Sequence, residues 1–301
     1  MNDKNLQNKL DIFLTANQNK KSLIVVFGPT ACGKTGLAIE IAKYLKSEVI
    51  SVDSRQIYRE MNIGTAKVTT EEAGGVVHHM IDIIDPDEIF SVVDFKNQAE
   101  KILEAIWKKG KIPILCGGTG LYLDSLIFER NYSTAKQNTA RRQELETIRQ
   151  EQGDLALWKI LETYDKKYAD SLHPNNKTHI IRAIEIFEET GKSKQEINDG
   201  NTLLFPTFFV SPYQGDREAL YNRINLRAEI MLENGLIEEV ENLLKKYDKS
   251  TPGLSTIGYK EVVEFLDGKI TKAEMLEKIQ QNSRRYAKRQ ICWNKKYDEF
   301  L

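Results

Sequence analysis

"SLIVVFGPTACGKTGLAIEIAKYL", residues 22–45, passes from a β-branched apolar run through a glycine-bounded loop into an amphipathic segment. An apolar run without alternation is what a central parallel strand, covered on both faces, requires. After it, Leu37, Ile41, Tyr44 and Leu45 recur at helical spacing and form one stripe that can lie on a sheet. Between strand and helix, Gly28, Gly33, Lys34 and Thr35 match GxxxxGK[ST]. The glycines of such a loop let backbone N–H groups approach phosphate oxygens, the lysine adds a point charge, and the hydroxyl can ligate Mg²⁺. The start of the helix contributes partial positive charge.

Working outward, "EVISVD" (48–53) and "IPILCGG" (112–118) predict further strands, and "DFKNQAEKILEAIWKKG" (94–110) predicts a helix between them. Alternation of this kind predicts an α/β fold, with a P-loop NTPase-like parallel sheet flanked by helices and ligand at the carboxyl ends of the strands. Gly28, Asp53 and Gly117 all fall at such ends. From 125 to 197 the chain is charged and helix-like, with Leu145, Ile148, Leu155, Leu157, Ile160 and Leu161 as candidate core positions, which predicts an all-helical insertion. "TLLFPTFFV" (202–210) should rejoin the sheet, and helices are expected over 216–233, 236–246, 258–266 and 271–296. The expected domains are a core of 1–124 and 198–301 and an insertion of 125–197.

The chain has 301 residues, 41% hydrophobic and 29% charged, with a net charge of -1. That is the mixture of a soluble globular protein, and no apolar run approaches the ~20 residues of a membrane span. The first twenty residues lack the pattern of a signal peptide, so the cytoplasm is the expected address. Cys32, Cys116 and Cys292 are far apart and form no CxxC pair, which leaves neither a disulfide framework nor a zinc finger to read. Charge is uneven: "NSRRYAKRQICWNKKY" (282–297) has six basic residues and no acidic one. Such a helix can face a polyanion or dock on the core with a wet basic face, and both can hold at once.

Asp53 admits three roles: a Mg²⁺-orienting carboxylate in a kinase, a general base, or a cap at a strand end. Lys67 in "GTAK" can face phosphate or solvent. His78 and His79 are adjacent, poorly placed to share one ion, and read as surface or structural residues. Asp82, Asp85 and Asp87 read as a solvated loop. "GGTGLY" (117–122) is a second glycine-rich turn, whose glycines allow close backbone approach and whose Thr119 offers a hydroxyl to a ligand.

Taken in order, "GPTACGKT", "DSRQIY", "GTAK", "HHMID", "PILCGGTGLY", "RAIEIFEETGK", "IGYKE" and "YAKRQICW" resemble the tRNA dimethylallyltransferases, in their bacterial form, over 22–297. The resemblance implies transfer of a dimethylallyl group from dimethylallyl diphosphate to N6 of adenosine 37 in tRNAs reading codons that begin with U. It implies Mg²⁺ as cofactor, and the tRNA anticodon stem-loop and dimethylallyl diphosphate as partners; a monomer without membrane attachment is expected. Gly28, Pro29, Thr30, Ala31, Cys32, Gly33, Lys34 and Thr35 would hold the diphosphate, with Thr35 on the metal. Asp53 would take the N6 proton, with Thr30 near the reacting centre and an arginine from "YNRINLRAEIML", Arg227 or alternatively Arg223, on the diphosphate. Contacts to tRNA are implied for Asp53, Ser54, Arg55, Gln56, Thr119, Arg182, Gly258, Tyr259 and Lys260, and the basic helix adds Arg284, Arg285 and Arg289. The chain departs from the family pattern at Cys32, at Asn175–Asn176, at His179 and in "NYSTAKQNTARRQ" (131–143). An adenylate isopentenyltransferase and, more distantly, a P-loop small-molecule kinase are the rival expectations.

Overall fold

A computed structural model describes residues 3–130, 139–197, 200 and 202–301. The departing segment 131–143 therefore lies largely outside the described residues. Five strands, β1 (Leu23–Phe27), β2 (Val49–Val52), β3 (His78–His79), β4 (Ile114–Gly117) and β5 (Thr207–Val210), form one sheet in the order β3-β2-β4-β1-β5. Every neighbouring pair is parallel. β1 is buried along its whole length, which is why its five residues carry no polar side chain. Its last residue, Phe27, pairs with Gly117, and Gly117 pairs with Val52. That register brings the loops after β1, β2 and β4 out at one edge of the sheet.

One face of the sheet is covered by the helix Lys34–Leu45, whose Ala38, Ile41 and Ala42 pack on Ile24, Val26, Val49 and Ile114. Leu10 of the helix Lys4–Ala16 joins the same cluster. The helix Val92–Lys108 begins in a capping box of Ser91 and Asp94 and buries Phe95, Ala99, Leu103 and Ile106. A second cluster joins Ile57, Tyr58, Met61 and Ile84 to Leu236, Val240, Tyr259, Val262 and Ile279. It holds the segment after β2 against the C-terminal helices Leu236–Leu244, Tyr259–Leu266 and Lys272–Asn294. Among the described residues no helix is long and apolar enough to cross a membrane.

The chain divides into two compact units, Met1–Ile127 with Leu203–Leu301, and Phe128–Thr202. The helix Gly120–Ile127 lies wholly within the first unit, so the compositional change at 125 comes slightly before the structural one. The second unit is helical where described. Leu145, Leu157, Leu161, Ala169, Ile180, Ala183 and Ile184 form its core, with Ile148 and Ile160 packed against them. Leu155, expected in that core, is 52% exposed. It sits two residues, about 200° of helix rotation, from Leu157 and so faces the other way. The pair His78–His79, read as surface or structural residues, forms the edge strand beside Val49 and Ile50. Asp82 and Asp85 lie in the loop beyond it, paired with Lys67 and Arg59.

Candidate active site

A cavity of about 410 Å³ opens at the sheet edge where the three loops emerge. Its first wall is the loop 28–33. Gly28 has φ 141° and Gly33 φ 94°, conformations that favour glycine, and a Cβ on Gly28 would stand 2.9 Å from the Cys32 Sγ. Thr30, Ala31, Lys34 and Thr35 line the cavity. The Lys34 ammonium curls back over the loop and donates to the Pro29 carbonyl at 2.7 Å. The first N–H groups of the helix Lys34–Leu45 have no intrahelical acceptor and stand ready for an anion. Cys32 is buried against Leu220, Ile224 and Ala287, which makes it a packing residue of the loop. The Cys116 thiol on β4 also borders the cavity, but burial pushes its pKa up to about 12, so it is no nucleophile near neutrality.

The second wall follows β2. Asp53 lines the cavity, and its Oδ1 accepts from the N–H groups of Arg55 at 2.8 Å and Gln56 at 3.4 Å. One carboxylate oxygen therefore shapes the DSRQ turn, and the group is both a strand-end cap and part of the site. Ser54 and Arg55 line the same wall. Gln56 also borders the cavity, but its amide donates to the carbonyls of Thr65 and Ala66 and its oxygen accepts from Ser51, tying this turn to the GTAK loop. Lys67 faces neither phosphate nor solvent: its side chain is 6% exposed, and it donates to Tyr58 O, Asn62 Oδ1 and Asp82 Oδ1.

Opposite stands the helix Arg217–Glu233, which presents Ile224, Arg227, Ala228 and Met231 to the cavity. Arg227 Nη1 lies 3.5 Å from Thr30 Oγ1. Burial lowers the Arg227 pKa while Asp53 pulls it upward, so a guanidinium and a carboxylate share one enclosed space. Arg223, the alternative expected from helical spacing, is exposed and does not line the cavity. Four residues advance a helix by about 6 Å, which takes the earlier arginine past the rim.

The helix Lys272–Asn294 closes the site with Ser283, Tyr286, Arg289 and Gln290. Tyr286 lies beside Thr119, and burial, reinforced by Asp53, pushes its pKa up to about 12. Thr119 Oγ1 accepts from the Ser54 N–H at 3.0 Å, so its hydroxyl is engaged with protein groups rather than left for a ligand. The Arg289 guanidinium stacks 5.6 Å from the Tyr286 ring centre. Arg285 and Lys288 are exposed, whereas Arg284 turns inward to donate to Asn225 Oδ1 at 2.5 Å and so belongs to the helix packing. Lys260 borders the cavity mouth. Gly258, at φ 98°, starts the helix Tyr259–Leu266 and is buried.

Tyr259 corrects an expectation. It is wholly buried, its hydroxyl held between Glu239 and the Gly64 N–H, and burial with the Glu239 charge raises its pKa; no RNA can touch it. Glu239 in turn accepts from the N–H groups of Asn62 and Ile63, so the pair fixes the loop that leads into GTAK. The glycines of the second loop likewise admit protein groups: a Cβ would stand 2.0 Å from Val52 O at Gly117, 2.1 Å from Gln290 Nε2 at Gly118 and 2.2 Å from the Trp293 ring at Gly120. Arg182 lies in the other unit, where it pairs with Glu185 at 3.3 Å.

His78 and His79 are structural. His78 Nδ1 is 3.0 Å from the Val76 carbonyl, and His79 Nε2 is 2.9 Å from Glu48. Glu48 is buried; against the upward push of burial, Lys109, His79 and Lys111 hold its pKa at about 2. Two of the lysines at the end of the helix Val92–Lys108 thus serve this pair. Gln290 and Tyr286 are site residues that sequence reasoning misses, because they sit among charges that point to the outer face of their helix. The available signal is their i, i+4 spacing within "YAKRQICW".

Residues 56–297 match the family model described as IPP transferase. The chain is 44% identical over 285 residues to the tRNA dimethylallyltransferase of Alkaliphilus oremlandii, covering 93% of this chain and 90% of the relative. It is 42% identical to that of Thermoanaerobacter sp. (strain X514), covering 92% and 89%. Among solved structures, it is similar to the tRNA isopentenylpyrophosphate transferase of Bacillus halodurans, with a TM-score of 0.65, 42% identity and coverage of 91% and 86%. A eukaryotic dimethylallyltransferase acting on tRNA superimposes with a TM-score of 0.77 at 30% identity, covering 91% and 70%.

Proposed function

The chain belongs to the IPP transferase family and is a prenyltransferase that carries a dimethylallyl group to tRNA; on that premise we propose that the acceptor atom is N6 of adenosine 37 in the anticodon loop of tRNAs reading codons that begin with U. The observation that carries the assignment of the site is the meeting of Thr30, Lys34, Asp53 and Arg227 in one cavity at the sheet edge.

The loop 28–35 holds the diphosphate of dimethylallyl diphosphate through backbone N–H groups and Lys34. As the C1–O bond of the donor breaks, negative charge grows on the departing diphosphate, and Lys34, Arg227 and the helix start are fixed where that charge appears. N6 bonds to C1 and surrenders one proton. Asp53 receives it: Oδ1 is engaged by the turn, which leaves Oδ2 for the base's work. Ile224, Ala228 and Met231 supply apolar wall for the prenyl tail. A stacked adenine cannot reach this depth, so the base is turned out of the loop into the cavity. Arg55, Lys260, Arg285 and Arg289 follow the RNA backbone, and Arg182 adds a contact from the helical unit.

Mg²⁺ fits the donor set. The described residues contain no group of three or more His, Cys, Asp or Glu able to hold an ion alone, and Thr35 offers one hydroxyl beside the phosphate loop. Thr35 would help hold the cation, which would supply positive charge to offset that of the leaving group.

The test incubates the protein with Mg²⁺, radiolabelled dimethylallyl diphosphate and, in parallel, unmodified tRNA bearing A36-A37, AMP and ATP. Label recovered as N6-dimethylallyladenosine after digestion is expected from tRNA alone. Label in free nucleotide only moves the assignment to an adenylate isopentenyltransferase. Asp53→Asn keeps the turn-capping oxygen, so it should bind tRNA normally and lose about 10²–10⁴ in rate. An active Asp53→Asn enzyme removes the base assignment.

A further inference from the structure

Gln290 has no part in the chemistry above, yet its side chain joins both glycine loops. It is 6% exposed. Its Oε1 accepts from the Thr30 N–H at 2.8 Å, and its Nε2 donates to the Gly118 carbonyl at 3.0 Å. Both halves of the amide are thereby used, which no other residue type of this length reproduces. One turn earlier on the same helix, Tyr286 lies beside Thr119, and three residues later the Trp293 ring lies against Gly120. The loop after β4 thus lies against this helix at three successive positions, and Gln290 alone bonds it and the loop after β1 to one side chain.

We propose that Gln290 is a positioning residue of the transfer reaction: it sets Thr30, and with it the phosphate loop, at a fixed offset from the Asp53 and Thr119 side of the cavity. Gly118 is glycine for the same reason. Its φ is not in the left-handed region, so backbone conformation does not demand glycine. What excludes a side chain is the Gln290 amide, 2.1 Å from where a Cβ would stand. Beyond that amide, the Gly28 carbonyl oxygen is at an ordinary 3.4 Å. The role rests on the transfer reading above, because the distance it fixes is that between leaving group and acceptor base. Misplacement by about 1 Å at such a distance can cost on the order of 10² in rate.

The experiment is a double-mutant cycle on the full chain: wild type, Gln290→Ala, Gly118→Ala and the pair. Rate and KM for tRNA are measured with labelled dimethylallyl diphosphate, and deuterium uptake is followed in peptides covering 28–35 and 117–122. Each single variant should lose roughly 10–100-fold in kcat with the KM for tRNA within about threefold of wild type. The pair should be no worse than Gln290→Ala alone, because truncating the glutamine leaves nothing for the new Cβ to strike. Uptake in the 28–35 peptide should rise in Gln290→Ala. A kcat within about twofold of wild type in Gln290→Ala, or losses that multiply in the pair, overturns the proposal. If Gln290→Ala is too unstable to assay, Gly118→Ala decides alone, and an undiminished kcat there overturns it equally. A wild type that transfers no label defeats the transfer reading instead, while the uptake measurement still judges whether Gln290 holds the loop.

Discussion

Replacing Arg227 by alanine should be the costliest single change on the helix Arg217–Glu233, and replacing Arg223 should cost almost nothing. Arg227 Nη1 is 3.5 Å from Thr30 Oγ1, on the cavity wall opposite the phosphate loop. A unit charge about 4 Å from a diphosphate oxygen interacts by about 4 kcal/mol at an effective dielectric of about 20. Most of that attraction matters only as the C–O bond opens and charge accumulates, and losing one fixed donor to such a developing charge typically costs about 10²–10³ in rate. Arg227→Ala is therefore expected to slow single-turnover transfer by about 10²–10³. Arg227→Lys should fall between, since an ammonium keeps the charge and loses the planar fork. Arg223→Ala, at an exposed position, should stay within about twofold. The assay is rapid quenching of saturating enzyme mixed with labelled donor and tRNA, which separates chemistry from product release. Equal losses in the two alanine variants, or a loss below about tenfold in Arg227→Ala, would refute the placement of Arg227 on the leaving group.

Three further outcomes are open to measurement. Neutralising Arg285, Lys288 and Arg289 together should weaken tRNA binding and flatten its salt dependence, by about 0.7–0.9 in slope for each phosphate no longer neutralised. Arg284→Ala, which removes the bond to Asn225, should lower stability and leave that slope unchanged. Because the Glu48 pKa lies at about 2 against an ordinary 4.5, its contribution is complete above about pH 4.5 and is lost as pH falls towards 2. Discounted for its half-exposed lysine partners, that contribution is about 2 kcal/mol. Urea unfolding of Glu48→Gln should show that deficit at pH 7 and a gap closing below about pH 4.5, whereas a gap constant down to about pH 2.5 contradicts the pairing. Tyr259→Phe should cost about 1–2 kcal/mol of stability by removing the buried hydroxyl's bonds to Glu239 and the Gly64 N–H, with tRNA affinity unaltered. Weakened tRNA binding at full stability would return Tyr259 to the RNA surface.

The parts of this site that are legible in the sequence are those whose chemistry is local. The run 22–45 carries its strand, loop and helix in consecutive residues, and the backbone conformations of Gly28 and Gly33 are demanded within the loop itself. The family pattern then points to Asp53 and to an arginine at 223 or 227. Helical spacing alone leaves Arg223 and Arg227 equivalent, because only the docked helix has a rim that one of them lies beyond. Residues with long-range partners mislead in a consistent direction. Lys67, Tyr259 and Thr119 are polar groups near glycines, a context that suggests a ligand; each is instead engaged by protein groups. Sequence shows that a polar side chain needs a partner but gives no sign of which distant segment supplies it.

That direction of error has a physical cause, and it bears on how the cavity works. A pocket meant to hold diphosphate and an extruded base must keep its walls in register without filling itself. The protein does this by pairing polar groups around the cavity's edge: Gln56 to the GTAK loop, Glu239 and Tyr259 to Gly64, Thr119 to Ser54, Gln290 to Thr30 and Gly118. Each pair replaces water on both partners and so fixes a distance more firmly than it stabilises the fold, for a satisfied hydrogen bond contributes only about 1 kcal/mol while an unsatisfied buried one costs more. Substitutions at Gln56, Thr119 and Gln290 should therefore separate from ordinary core substitutions. They should reduce kcat well before they lower the unfolding midpoint, whereas truncating Leu236 or Val262 in the adjoining apolar cluster should do the reverse.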